Sequence, residues 1–547
     1  MSFSSRKSGR TWFVLGVGMV IVGLVLSACA TPTPERVEVE VTKVVEKEVK
    51  VKETVVVEID QRRGGTVRVG LATGFENLDP MVSSAWSDRV AAHAIYDPLV
   101  DLDENLNIVP MLAKSWEISD DGRTYTFHLQ EGVKFHDGTD FNAEAVKFNF
   151  ENILDPDVQS TQRADMSVIE SMEAIDEHTI AITLKHPFAP FLSVLTDRAG
   201  MIRSPAAVQK FGEDYTRNPV GTGPFKLGEW VKDDHLTVER NENYWREGLP
   251  YLDRVVFRVI PDSTARLTAL RTGDIDILDE VAPKDIATLK RDQNLVYREV
   301  PGLGFEMIRI NTTAPPFDNV ACRQALAYAI DREALLQSVF FSTGAEGRGS
   351  VPPTSWAWSE GVKGIDYDPD MVRQKLEECG KPDGYDFEMI IWQRPLDQTL
   401  GQAVQAMAGD FGINVKLTTM EVAAGFARIR ADDFQAGQSW WSGRVDPDGN
   451  LYRHFHSSAI EGGNNFMNFS HDEIDELLEA QREVANPEER KKIIAEAEQM
   501  IIDQVPMVFY HFIPIVRAHS QRMQDYVQQP DGMMRFETVW IAGAGSQ

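Results

Sequence analysis

The amino-acid sequence predicts a mixed α/β protein. Segments in which every second residue is apolar alternate, from about residue 64 onward, with segments whose apolar residues recur every three to four positions. Length adds a second constraint: roughly 500 residues of such sequence exceed one ordinary domain, so two to four structural units are expected.

The chain begins differently. Arg6, Lys7 and Arg10 precede an apolar stretch from Trp12 to Leu26, followed by Leu26-Ser27-Ala28-Cys29. A basic head, an apolar middle and small residues before a cleavage point describe a secretory signal peptide. The stretch is shorter than the ~20 residues a helix needs to span a bilayer. Its last four residues resemble the bacterial lipobox, which makes Cys29 the expected lipidated first residue of the mature protein. Residues 31–60 hold ten valines but no aromatic residue and no glycine. They read as a solvated tether. A 4-3 spacing over positions 37, 41, 44, 48, 51, 55 and 58 offers a short coiled coil as an alternative, interrupted by Glu48 and Glu58.

Strands are expected at Thr124 to Leu129 and Thr179 to Leu184, which alternate and should be half exposed. Val255 to Ile260, Phe387 to Trp392 and Val415 to Leu417 are more continuously apolar and should be more buried. Asn142 can cap a helix whose Val146, Phe150 and Ile153 share one face. Asn486-Pro487-Glu488-Glu489 is a stronger start, with Asn486 as cap, Pro487 at the first helical position and Glu489 placed to complete a capping box. That helix should run towards Val505 and stop before Pro506. In Asp472-Glu473-Ile474-Asp475-Glu476 the acidic residues are a solvated helix face, with Ile474, Leu477 and Leu478 turned inwards.

A formal charge of −29 argues against nucleic-acid binding. It also gives no attraction to anionic lipid, so membrane association has to come from the Cys29 modification. Beyond Cys29 only Cys322 and Cys379 remain, and both are read as core thiols, with a disulfide between them as the alternative.

Between Ile95 and Glu151 the chain reads Ile-Tyr-Asp-Pro-Leu-Val, Pro-Met-Leu-Ala-Lys-Ser-Trp-Glu, Asp-Gly-Arg-Thr-Tyr-Thr-Phe-His-Leu, Val-Lys-Phe-His-Asp-Gly and Asn-Ala-Glu-Ala-Val. Further on come Pro219 to Phe225, Asn241 to Trp245, Leu270 to Asp276 and Arg323 to Asp331. This ordered set, over roughly residues 64 to 540, resembles the dipeptide and oligopeptide receptors, family 5 of the extracellular solute-binding proteins of ATP-binding-cassette importers. The resemblance implies a periplasmic-binding-protein-like two-lobed fold that closes about a hinge on its ligand. Expected units are a signal peptide (1–28), a lipidated tether (29–63), lobe I (64–94, 220–306 and 510–547), a subdomain inserted in lobe I (95–219) and lobe II (307–509). Crossovers are expected near Phe305 to Ile308 and Val508 to Pro514.

A cleft for a peptide-like solute needs flat apolar side chains and a few polar anchors. Trp440 and Trp441 lie in Ser439-Trp440-Trp441-Ser442-Gly443-Arg444-Val445-Asp446-Pro447, similar to the family segment whose residues face the ligand. There the peptide receptors use an aspartate, three residues after a tryptophan, to hold the ligand's α-ammonium; the matching residue here is Gly443. Asp446 is a candidate substitute, or else caps the turn fixed by Pro447. Arg444 introduces a cation that would favour an anionic or neutral ligand. Trp392-Gln393-Arg394-Pro395, with Trp392 and Arg394 as candidate ligand contacts, is similar to the segment whose arginine pairs with a ligand carboxylate, a task suited to a planar guanidinium. Ser84 and Trp86 match positions that touch the ligand backbone.

His454 and His456 should share a strand face, but they make no metal site, because no cysteine or carboxylate stands at ligand spacing. No metal or cofactor is expected, and no motif for nucleophilic, zinc-dependent or phosphate-loop chemistry occurs. The sequence thus predicts an extracytoplasmic, lipid-anchored, monomeric binding protein that performs no chemistry and delivers a peptide or peptide-sized polar solute to a permease and its ATPase subunits. Alternatives are a receptor of this fold for an opine, oligosaccharide or metal complex, a sensory receptor and, last, an extracellular hydrolase.

Overall fold

The computed structural model describes residues 35–43, 51–59, 62–83, 85–461 and 463–544. The expected signal peptide, Cys29 and Ser84 lie outside them. Two units are distinguished, Met1–Gln61 and Arg62–Gln547. In the first, Glu35–Lys43 and Val51–Ile59 pair as antiparallel strands, from Glu35 opposite Ile59 to Lys43 opposite Val51. The alternating valines of this segment therefore form strands and not the coiled coil that the 4-3 spacing offered. Among the described residues no helix is long and apolar enough to cross a membrane.

The second unit is built on an 11-stranded mixed sheet. At one end Thr66–Leu71 runs parallel to Arg254–Val259, which continues antiparallel through His235–Arg240 to Phe225–Val231. At the other end Tyr385–Trp392 runs parallel to Ile413–Met420 and to Ala436–Trp441. Two long antiparallel strands, Leu295–Ile310 and Met507–Ser520, join the ends. Their pairing is interrupted between Pro301 and Gly304 and again between Glu306 and Met307, which divides the sheet into two lobes. A separate four-stranded antiparallel sheet, in the order Ala113–Ile118, Thr124–Leu129, Thr179–Leu184, Ile169–Asp176, carries its own core around Phe127, Phe141, Phe150 and Ile182.

Local signals translate directly where they are strong. Thr124–Leu129 and Thr179–Leu184 both alternate between half-buried and buried residues. Asn142 accepts from the Ala145 amide (3.0 Å), and Val146, Phe150 and Ile153 are buried. Asn486 accepts from the Glu488 and Glu489 amides (3.0 and 3.1 Å), starting a helix that runs Pro487–Gln504. Two expectations fail. Val255 to Ile260 and Val415 to Leu417 are not continuously buried: Arg254–Val259 buries Val255 and Phe257 only, and Ile413–Met420 is the terminal strand, with Asn414 and Lys416 exposed on its open side. Cys322 and Cys379 are not free thiols but a disulfide, Cα–Cα 5.2 Å, which links helix Val320–Ala329 to the end of helix Pro369–Glu378.

Three of the sequence landmarks converge on one carboxylate. Buried Asp97 accepts from the Thr222 hydroxyl (3.1 Å), the Tyr244 hydroxyl (3.1 Å) and the Trp245 indole (2.8 Å). Burial pushes the Asp97 carboxyl up to about 6, against the pull of these donors. Gly221 and Gly223 lie so close to Ile95 that a Cβ on either would come within 2.6 Å of its carbonyl oxygen. The chain thus leaves for the inserted sheet and returns from it at one tightly packed knot.

Candidate functional site

Strand Ala436–Trp441 pairs with Leu295–Ile310 so that Trp441 faces Phe305 and Trp440 faces Glu306. Consecutive strand residues point to opposite sides, so the two indoles serve different faces.

On the first face Trp440 makes an edge contact with Trp392 (6.2 Å), and the Arg394 guanidinium lies 4.2 Å from its ring. Arg394 precedes helix Pro395–Gly409 and binds both carboxylate oxygens of Asp397. The sequence-predicted anchor therefore already has a counter-charge. Trp392 is fully buried, stacked on Phe426 (5.1 Å) and pressed on Gly425, where a Cβ would come to 2.3 Å of its ring. It belongs to the core, not to a ligand-facing surface, because its strand end is roofed by helix Val422–Arg430. Trp86 opens helix Trp86–Ile95 and donates to Asp279 (2.9 Å), which also accepts from Arg517 (2.8 Å).

The second face is organised by the turn after Trp441. Asn450 accepts from both the Trp441 indole and the Arg444 amide (2.9 Å each). Gly443 has φ +78°, and a Cβ there would lie 2.2 Å from the Leu303 carbonyl oxygen. No side chain, and so no ammonium-holding aspartate, fits that backbone. Asp446 does not replace it. Its carboxylate is buried in a two-pronged pair with Arg490 (2.6 and 2.7 Å) and caps the Asp448 amide (2.9 Å). His454, in helix Asp448–Phe455 and not on a strand as expected, is buried against Trp441 (4.7 Å), while His456 stacks on Tyr452 (4.1 Å). Burial holds His454 well below the usual imidazole range, so it is neutral. Among the described residues no group of three or more potential metal ligands occurs.

Arg444 lies over the Trp441 ring (4.3 Å) and donates to the Ser442 hydroxyl (3.2 Å) and the Gly443 carbonyl (2.7 Å). Burial, and then the like charges of Arg89 and Arg453, lower its guanidinium to about 9; Arg198 adds to the effect. Arg89 is paired with Asp197 (2.9 Å) and Arg453 with Asp165 (3.2 Å). The latter bridge ties helix Asp448–Phe455 to the segment of the four-stranded sheet, and the Ala189 amide donating to the Arg482 carbonyl (2.7 Å) makes a second link of this kind. Arg89, Arg198 and Arg453 were not legible as site residues. Arg89 offers one signal, three residues beyond Trp86 on a single helix, whereas Arg198 and Arg453 offer none.

Two lobes, joined by two interrupted strands and meeting over tryptophans and unevenly paired charges, define a solute-binding protein. The chain belongs to the bacterial extracellular solute-binding proteins, family 5, whose model matches residues 107–462. It is 32% identical over 483 residues to the glutathione-binding protein GsiB of Salmonella typhi, covering 86% of this chain and 93% of that one. Among solved structures it is similar to the periplasmic binding protein DppA of Helicobacter pylori in complex with the peptide STSA (TM-score 0.80, 28% identity, 88% of this chain and 99% of the other). It is also similar to AgaA of A. tumefaciens R10 in complex with agropinic acid (TM-score 0.78, 28% identity, 87% and 99%).

Proposed function

We propose that this protein is the substrate-binding component of an ATP-binding-cassette importer that captures a peptide-like solute between its lobes and presents it to a permease driven by ATPase subunits. The observation that carries this reading is the position of Trp440, Trp441 and Arg444 beside the interrupted crossing of Leu295–Ile310 and Met507–Ser520. A hinge with unpaired backbone at Pro301–Gly304 can bend without loss of ladder bonds, and solute contacts made from both sides then favour the closed form. The likeness to GsiB and DppA supports a small peptide as the solute; AgaA, with agropinic acid, supports an acidic compound on the same frame. Lipid attachment at Cys29, in keeping with the lipobox-like segment, would keep a monomeric receptor at the outer face of the membrane.

Native mass spectrometry of the purified protein, followed by thermal shifts against peptide and opine panels, tests the reading. A bound solute at 100 times its dissociation constant stabilises by about 2.7 kcal/mol. The reading fails if a mixed peptide library leaves neither a bound species nor a shift.

A further inference from the structure

Four guanidinium groups, those of Arg89, Arg198, Arg444 and Arg453, act on one another where lobe I, the inserted subdomain and lobe II meet. Two are matched by carboxylates: Arg89 by Asp197 and Arg453 by Asp165. The other two make no ion pair, although the Asp197 charge acts on both. Arg444 donates only to the neutral Ser442 hydroxyl and Gly443 carbonyl, through Nη1. Arg198, 8% exposed, donates through Nη1 to the Ser83 carbonyl (2.6 Å), and its Nε is buried with no partner. Asp88, near Arg198, makes no ion pair with it; its carboxylate accepts from the Glu76 amide (2.9 Å), and burial pushes it up to about 6.

Each guanidinium has five donors, so most of those on Arg198 and Arg444 are unused. A cation without an ion-pair partner is costly where it is buried, as Arg198 is, and less so at half-buried Arg444; an anion that supplies the missing acceptors lowers that cost. The surplus positive charge is local, because the whole chain carries −29. On the opposite account, two positions of the segment after Trp441 are closed to a ligand ammonium: Gly443 admits no side chain, and Asp446 is bound to Arg490.

Resting on the importer reading, we propose that the cleft selects a solute with two carboxylates, one met by Arg198 and the other by Arg444, and that it does not require a free α-ammonium. Arg444, on lobe II, and Arg198, on the inserted subdomain, would then be joined through the ligand, so that the solute's two charges draw the lobes together. Planar, always-charged forks suit carboxylates better than lysine would.

Isothermal titration of the full-length protein with five probes tests this: γ-Glu-Cys-Gly, its N-acetyl form, its form with both carboxylates amidated, Ala-Ala-Ala and Lys-Lys-Ala. The free acid and the N-acetyl acid should bind within about 10-fold of each other. Amidation should weaken binding about 30-fold or more, the consequence of removing one partner from buried charge pairs. Arg444→Gln and Arg198→Gln should each reproduce that loss for the acid, Arg444→Lys should recover part of it, and the exposed Arg373→Gln should change nothing. Should either glutamine variant fail to fold, the probe series on the parent protein decides alone. Equal or tighter binding of the amide or of Lys-Lys-Ala overturns the inference and leaves the importer reading standing. Loss of binding on N-acetylation overturns the ammonium clause and with it the proposal. Binding of none of the five overturns the inference, and the peptide-library experiment above then decides the importer reading separately.

Discussion

Restoring an aspartate at Gly443 should not restore an ammonium site. The residue sits at φ +78°, and a Cβ would lie 2.2 Å from the Leu303 carbonyl oxygen and 2.3 Å from its carbon. Left-handed backbone costs a non-glycine residue about 1–2 kcal/mol, with aspartate at the low end. Relieving the overlap means moving Leu303 away from the turn next to the Phe305–Trp441 pairing, an overpacking cost of about 1–3 kcal/mol. A new carboxylate beside Arg444 gives back a part, about 1 kcal/mol at a half-buried position. Gly443→Asp should therefore destabilise by roughly 1–3 kcal/mol. For a melting unit of about 200 residues, Tm falls by about 2–12 °C. Differential scanning calorimetry reads the loss, and titration with Ala-Ala-Ala reads the binding, which should not improve. A Tm within 1 °C of the parent, together with new tripeptide affinity that vanishes on N-acetylation, would refute the steric argument.

Replacing Cys322 and Cys379 by serine opens a link between positions 57 residues apart and should cost about 4 kcal/mol in urea denaturation, the loop-closure value for that span; an unchanged midpoint under oxidising conditions would contradict it. Arg490→Ala leaves Asp446 buried without its cation and should destabilise by about 3–5 kcal/mol, whereas Arg490→Ala with Asp446→Ala should cost less than the sum of the two singles, a coupling that a double-mutant cycle checks. Arg453→Ala removes a bridge from lobe II to Asp165 (3.2 Å, both side chains about a quarter exposed); small-angle scattering should show a more open ligand-free protein, and any probe that binds should weaken by about fivefold, equivalent to ~1 kcal/mol. The folded protein binds a proton at Asp97 up to about pH 6, whereas the unfolded chain holds it only to about 3.8, so this group makes stability fall as pH rises between those values. Relative to the parent, Asp97→Asn should therefore show a stability slope more positive by up to about 1.4 kcal/mol per pH unit across pH 4–6, and parallel slopes would reject the assignment.

Much of the frame was legible because its signals are local. Alternation marks Thr124–Leu129 and Thr179–Leu184, and Asn486-Pro487 states where the last long helix begins. What escaped depends on distance. Nothing in the spacing of Cys322 and Cys379 says that their helices lie side by side. Val415 to Leu417 reads as a buried run, yet Lys416 interrupts it: Val415 is buried, whereas Lys416 lies on the opposite, exposed face of the terminal strand. Trp392 read as a ligand-facing indole because a tryptophan at a strand end is equally suited to roofing a core, and Gly425, whose missing Cβ makes room for it, lies 33 positions away.

The landmarks that reveal the family are informative about the frame for the same reason that they are silent about the solute. Asp97, Thr222, Tyr244 and Trp245 satisfy one another in a buried knot, and Asp446 belongs to a comparable knot with Arg490 and Gln481. A polar group that is fully satisfied within the protein has nothing left to offer a ligand, and removing its partner is expensive whatever the protein carries. Groups able to recognise a solute are among those left unsatisfied, and these include Arg198 Nε, with no partner, and Arg444, with only neutral ones. Such residues carry no motif, because their meaning lies in what they fail to touch. Two receptors with the same knots can therefore hold different solutes, and the specificity proposed for this chain rests on a pair of under-used guanidinium groups far apart in the sequence.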